Sequence, residues 1–409
     1  IVRLQPSAKR ERRASPDLWT APGIVRVPSS YNNNSRGVKR ERPPSPSLRL
    51  WIAPDSVRLQ QQRQFYKPWP TVSCVRSVKL GTNSDSNCNG GLGIERIAFN
   101  SDGSYFALSC ADLTLRIWNN RTRVEVARLA CRSPIVGLVW MDNDAGVMSL
   151  STDGRLGKWA KLGPQSQWHW GEMINLSSEA RVLENTMCLA CTRDRIAVAF
   201  QRTGVKVWIW GKGSWIAQRS ITRTNITTLK FIDGGNALLG GTREGVVWHC
   251  AVPNGTMKVY AFLGSSIISI AVSPTGMQAL VAHAGGSACM VELGFQCQQR
   301  IGKSFEEKDM GCARGAVFAA GGKTAVFGSK DRCVLVWDVQ KGGVVEGLEV
   351  PDGEIGDTMQ TVVSYDGPDG GGVVGGTRQG RLIWWPEPQA PGSGAGLSSS
   401  SSRKRAKVS

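Results

Sequence analysis

Residues 94–119 read IERIAFNSDGSYFALSCADLTLRIWN. Three short runs rich in Ile, Leu, Phe and Trp are separated by two polar turns, the first at Ser101, Asp102 and Gly103, the second at Ala111 and Asp112. Apolar runs this short, bounded by Gly and Asp, are strands rather than helices. Gly and Asp tolerate the left-handed backbone that tight hairpins need, so the stretch reads as an antiparallel meander.

The pattern returns six more times. Aligning the second turn of each unit puts Asp112, Asp153, Thr203, Glu244, Gly285, Asp331 and Gln379 in register, at spacings of 41, 50, 41, 41, 46 and 48 residues, and five of the seven precede a glycine. Six residues after each lies a third-strand anchor: Trp118, Trp159, Ile209, Cys250, Val291, Trp337 and Trp385. A period of roughly 40 to 45 residues is that of propeller blades with four strands each, and longer than ankyrin or leucine-rich solenoid repeats.

Two units, SCADLTLRIWN at 109–119 and GSKDRCVLVWDVQKG at 328–342 with Trp337 followed by Asp338, resemble the WD-repeat β-propeller family. The resemblance covers roughly residues 71–388. It is degenerate: one unit keeps the literal Trp-Asp pair, no unit has Gly-His, and only Asp112, Asp153 and Asp331 keep the turn aspartate. In the family, aspartate and histidine join a buried hydrogen-bond network inside each blade, so the resemblance implies weaker internal bracing in several blades here. Apolar burial between facing blades is then expected to carry the stability.

Closure of the ring gives a separate count. Strand runs stop at WWPEPQAPGSGAG one strand short of a full last unit, and TVSCVRSVKLG, Thr71 to Gly81, stands before the first unit without a hairpin partner. Pairing the two completes seven blades and covers an otherwise open sheet edge. The expected fold is therefore all-β: a seven-bladed β-propeller of four-stranded blades over 71–388, with 71–81 as closing strand and disordered basic N- and C-terminal tails at 1–70 and 389–409.

Charge separates these parts. The net +18 places +10 in residues 1–70, four basic residues in the last seven, and only +4 in the 332 residues between, so the folded body is nearly balanced. The N-terminal part holds a tandem duplication, KRERRASPDLWTAPGIVRV from Lys9 and KRERPPSPSLRLWIAPDSVRL from Lys39. Trp19 and Trp51 are candidate partner anchors displayed bivalently, beside arginines that supply charge-assisted contacts. The plain alternative is a tandem DNA duplication whose tryptophans rest on the propeller flank. Ser15 and Ser45, each before proline, are phosphosite candidates, since phosphate would partly neutralise the adjacent KRER. Arg403, Lys404, Arg405 and Lys407, on a flexible Gly/Ser tether, resemble a nuclear-import signal; a solubilising tail is the alternative.

Chemistry-bearing constellations are sparse. His169, His249 and His283, the only histidines, have no nucleophile or carboxylate at triad-like spacing, and His169 reads as part of a Trp-His-Trp loop. The Gly clusters at 90–93 and 367–376 lack the GK[ST] and following helix of a phosphate loop. The odd number of cysteines, 11, lies mostly within apolar runs, which fits buried thiols in a reducing compartment, and the close pair Cys188 and Cys191 lacks further zinc ligands. No run approaches the roughly 18–20 apolar residues of a membrane helix. Expected, then, are no catalytic residues, no metal and no cofactor.

Trp168, Trp170, Trp210 and Trp215 fall outside the anchor register, in or beside the longer connections around the third unit, and are partner-binding candidates; packing of a long loop against blade three is the competing reading. The functional expectation is a non-enzymatic scaffold of the WD-repeat type that binds other proteins, nuclear if the basic cluster is read by an import receptor and cytoplasmic otherwise. The alternative is a nucleic-acid-binding protein, on chromatin or RNA, that uses its Arg/Lys-rich tails with the propeller as platform.

Overall fold

The computed structural model describes residues 76–81, 92–141, 146–161, 167–176, 189–200, 203–253, 255–284, 287–293, 301–306, 315–328, 333–341, 344–349, 357–367 and 370–387. Their strands form seven four-stranded antiparallel sheets, each a meander. From inner to outer strand, blade one is Ile94–Phe99, Tyr105–Cys110, Thr114–Asn119 and Val124–Ala130, and blade two is Ile135–Trp140, Val147–Ser151, Arg155–Lys161 and Trp168–Asn175. Blade three is Leu189–Cys191, Arg195–Phe200, Gly204–Gly211 and Ser214–Ala217; blade four is Ile226–Ile232, Ala237–Thr242, Val246–Ala251 and Met257–Phe262. Blade five is Ile267–Val272, Gln278–His283, Ser287–Glu292 and Ile301–Glu306; blade six is Val317–Ala319, Thr324–Gly328, Cys333–Asp338 and Val344–Glu349. Blade seven is Met359–Tyr365, Gly372–Thr377, Arg381–Pro386 and, as its outer strand, Arg76–Lys79.

Each inner strand lies against that of the next blade, and blade seven's lies against blade one's, so the sheets form a closed seven-bladed β-propeller. The closing strand pairs from Arg76↔Trp384 to Lys79↔Arg381. It occupies the place the sequence assigns it, and residues 71–75 lie outside the described residues.

Middle strands are buried on both faces because each is sandwiched between neighbouring blades; Tyr105–Cys110 and Thr114–Asn119 are buried nearly throughout. The outer strand Val124–Ala130 instead alternates exposed and half-buried. Between blades seven and one, Phe106 and Trp118 meet Trp384 with ring centroids 6.1 and 6.0 Å apart, backed by Leu108, Val374 and Leu382. Each such fully buried apolar side chain contributes about 1.5–3 kcal/mol relative to exposure. Inner strands carry a bulge after Ile94, Ile135, Ile226, Ile267 and Met359, which turns Arg96, Gly137, Thr228, Ser269 and Thr361 toward the central channel.

The anchor register holds in six blades and is corrected in one. Trp118, Trp159, Cys250, Val291, Trp337 and Trp385 each pair across to the residue twelve earlier, for example Phe106↔Trp118 and Val373↔Trp385. In blade three the residue with that spacing is Trp208, opposite Ile196, whereas Ile209 pairs with Arg195 and is only half-buried. The misreading comes from Gly204. Its positive φ of 89° resembles a turn glycine, but it already belongs to the third strand, opposite Phe200. A side chain there would run into the Ile221 carbonyl, where Val205 and Ile221 form a bridge, so close backbone approach requires the glycine.

Internal bracing is uneven, as the degenerate repeats imply. In blade one Asp112, buried in its turn, accepts from the Thr114 backbone N–H at 3.1 Å and from Arg116 Nη2 at 2.7 Å. Arg116, wholly buried, also donates to the Gly81 carbonyl at 3.2 Å and so ties blade one to the end of the closing strand. Asp153, in a more open turn, accepts from the Arg155 N–H at 3.2 Å and stands 3.7 Å from the Arg155 guanidinium, and Asp331 lies outside the described residues. Trp159 Nε1 donates to Ser149 Oγ at 2.9 Å, but the indole N–H of Trp118 and of Trp248 meets no acceptor among the described residues.

Candidate functional site

The propeller presents a channel, two rims of turns and an outer belt of edge strands. The channel encloses about 600 Å³ and is lined by inner strands of every blade, mostly with small and apolar residues such as Ala98, Leu138, Ala190, Ile270 and Val362. Arg96 and Lys230 are the charged residues among that lining. Arg96 Nε donates to the Val136 carbonyl at 2.9 Å, and Ser269 Oγ accepts from Ala316 N–H at 3.1 Å, so polar groups of this layer stitch adjacent blades together.

One nucleophile–base pair exists that sequence spacing did not suggest. Cys289 Sγ stands 3.6 Å from His283 Nε2, and His283 Nδ1 stands 3.4 Å from the Ser265 carbonyl. Both side chains are almost completely buried, and burial pushes the thiol up to about 12. A neutral, buried thiol is a poor nucleophile, and Ser265, His283 and Cys289 line up across blade five. Burial likewise drives the Cys110 thiol up to about 12. Among the described residues no group of three His, Cys, Asp or Glu converges as a metal site, and no helix is long and apolar enough to cross a membrane.

The four candidate tryptophans, Trp168, Trp170, Trp210 and Trp215, lie in strands, which corrects the loop reading. Trp168, His169 and Trp170 open the eight-residue outer strand of blade two. Nearly all its residues are exposed or half-buried, so the apolar alternation that signals a strand is missing from them. Trp168 packs edge-on against Trp140 with centroids 6.2 Å apart, and Trp170 leans on Trp159 at 6.4 Å. Beside Trp170, a recess of about 160 Å³ opens between blades one and two, walled by Ala130, Cys131, Ile135 and Trp159 and rimmed by Asp153 and Arg155.

Trp210 and Trp215 face each other across the third and outer strands of blade three, with centroids 5.2 Å apart at 66°. Lys212 and Gly213 form the hairpin between them, with φ of 51° and 78°. Trp210 is 47% exposed, a large fraction for an indole. Trp19, Trp51, Ser15, Ser45, Arg403, Lys404, Arg405 and Lys407 lie outside the described residues.

Exposed apolar side chains concentrate on the outer belt. Val124 and Val126 of blade one, Trp170 of blade two, and Met257, Val259 and Phe262 of blade four all project from outer strands, with Phe262 62% exposed. Among the described strands, each of these is the last in its sheet. No protein-family model matches the chain.

Proposed function

We propose that this protein is a non-enzymatic interaction scaffold of the WD-repeat type, working in the nucleus, whose propeller holds partner proteins on its outer belt. The observation that carries this reading is the exposed run Met257, Val259 and Phe262 on the last strand of the blade-four sheet. Exposed apolar side chains in a row on the last strand of a sheet suit a partner that lays an apolar face there. The recess beside Trp170 offers an anchor pocket of the kind that dominates interface energetics. Nuclear entry rests on Arg403, Lys404, Arg405 and Lys407, and the duplicated Trp19 and Trp51 motifs supply a second, bivalent contact.

The test uses the full chain as bait, wild type against Val259→Lys/Phe262→Lys, followed by identification and quantitation of copurifying proteins. Selective loss of a defined set from the variant is expected. An unchanged set from a variant with unchanged thermal unfolding would sink the reading. A reporter fused to residues 389–409 is expected in the nucleus, and cytoplasmic retention removes that part.

The second reading, nucleic-acid binding by the tails, is favoured by the net +10 of residues 1–70. It requires a steep salt dependence that disappears when those residues are removed.

A further inference from the structure

We infer that the hairpin corner of blade three is a binding surface for single-stranded nucleic acid, with Trp210, backed by the half-buried Trp215, stacking on an unpaired base. The inference stands apart from the scaffold reading, since it concerns another blade and another ligand class.

Charge supplies the first argument. The propeller region nets only +4, yet residues 189–223 hold seven Lys and Arg against the single carboxylate of Asp194, a net of +6. The rest of the region is therefore slightly acidic, and the excess lies on blade three, with Arg193, Arg195 and Lys212 at its hairpin end and Lys206, Arg219 and Arg223 toward the other. The second argument is geometry. Trp210 donates its backbone N–H to the Asp194 carbonyl at 2.7 Å, which fixes the hairpin against the turn carrying Arg193. Arg193 and Lys212, both exposed, therefore flank the paired indoles at one end of the blade. Arg195 is held toward blade four, donating to Asn236 Oδ1 at 3.0 Å, and the Asp194 carboxylate sits 3.9 Å from it. At the same end of neighbouring blade two, Lys161 Nζ lies 5.8 Å from the Trp168 ring centroid, so cation and indole recur together along the rim.

The third argument is chemical selectivity. Phosphates need cations, and a base offers its π-face to an indole only when it is not stacked in a duplex. An acidic peptide would use the cations but give no role to an indole left nearly half exposed. A rigid two-residue turn, with its aromatic pair pre-ordered, suits stacking without loss of loop entropy.

The experiment measures anisotropy of a labelled 15-nucleotide oligo(U), and of a duplex of the same length, with the full-length wild type, Trp210→Ala, Trp210→Phe and Lys212→Asn. Asn accepts the positive φ at position 212, so that variant keeps the fold if Trp210→Ala does not. Trp210→Ala is expected to weaken the single strand about tenfold, as for loss of one stacked base, and leave the duplex unchanged. Trp210→Phe should retain most of the affinity, and Lys212→Asn should lower the salt slope. Ultraviolet crosslinking should mark peptides 207–212 or 213–219. The basic tails bind phosphate without regard to Trp210, so they do not reproduce this pattern. Wild-type affinity in both Trp210→Ala and Lys212→Asn, crosslinks confined to residues 1–70, or equal losses on single strand and duplex would each overturn the inference. So would binding of anionic vesicles, but not oligo(U), that the same variants abolish.

Discussion

Three consecutive residues of blade three, Trp208, Ile209 and Trp210, should differ sharply in what they contribute to stability. Trp208 is 6% exposed and packs with Val205, Val207 and Phe200 in the core shared with blades two and four. Its truncation to alanine removes a full indole from a dense site and should cost about 3–5 kcal/mol. Ile209 is half-buried and paired with Arg195, so Ile209→Ala should cost about 1–2 kcal/mol. Trp210, nearly half exposed, should cost less than about 1 kcal/mol on the same area argument. In a domain of this size 1 kcal/mol moves Tm by about 2 °C, so the Trp208 variant should melt roughly 6–10 °C below wild type and the other two within a few degrees. Circular dichroism melts and urea midpoints of the three variants make the comparison. If Ile209→Ala proves more costly than Trp208→Ala, the third strand is registered one residue away from the pairing described and the twelve-residue rule fails in this blade.

Three further outcomes follow from local geometry. Burial holds the Glu387 carboxyl above the ordinary carboxylate range, with the charge of Asp366 adding to the effect and the Ala320 N–H and Lys323 opposing it. A raised folded value means that stability falls as pH rises from the ordinary carboxylate value toward neutrality. Glu387→Gln, which keeps an acceptor for Ala320, should therefore raise the urea midpoint at pH 7 and flatten that dependence; a lowered midpoint at pH 7 contradicts it. A Cβ on Gly240 would come within 2.2 Å of the Trp248 ring, whereas one on Gly171 meets nothing within 4 Å. Gly240→Ala should thus cost about 1–3 kcal/mol or more and Gly171→Ala almost nothing, and equal melting temperatures would show that the indole moves freely. Asp357→Ala leaves the Thr377 hydroxyl and the Gln379 N–H without their buried acceptor and should cost about 2–4 kcal/mol in chemical denaturation. A change under 0.5 kcal/mol, taken as the usual scale of surface substitutions, would refute that role.

The propeller was legible because its middle strands are sandwiched, and sandwiched strands must be apolar throughout. That constraint makes YFALSC, VMSLS and CVLVWD stand out at a regular period, and it fails on outer strands. WHWGEMIN shows no buried face, so its eight residues carry no pattern to distinguish strand from loop. Gly204 misled for a different reason: glycine marks either a turn or a close backbone approach, and only the position of Ile221 tells which. Cys289 and His283 are six residues apart across a hairpin, a separation that becomes a contact only once the register Val281↔Cys289 is known. The positive charge of blade three was hidden by averaging, because the mild acidity of the other blades lowers the total.

The uneven bracing shows what the repeats preserve. In blade one the turn donors are satisfied by Asp112, which sits in the turn itself. In blade seven the turn residue is Gln379, and the same need is met by Asp357, which reaches in from the chain entering that blade: Oδ2 accepts from Thr377 Oγ1 and Oδ1 from the Gln379 N–H, both at 2.9 Å. In blade five the Ser265 carbonyl, His283 and Cys289 line up across the hairpin. A buried donor needs an acceptor and is indifferent to where in the chain it comes from. Each blade can then lose the aspartate of its turn provided a neighbouring segment supplies the missing acceptor, and the repeat can diverge in sequence while its pairing spacing of twelve residues stays fixed.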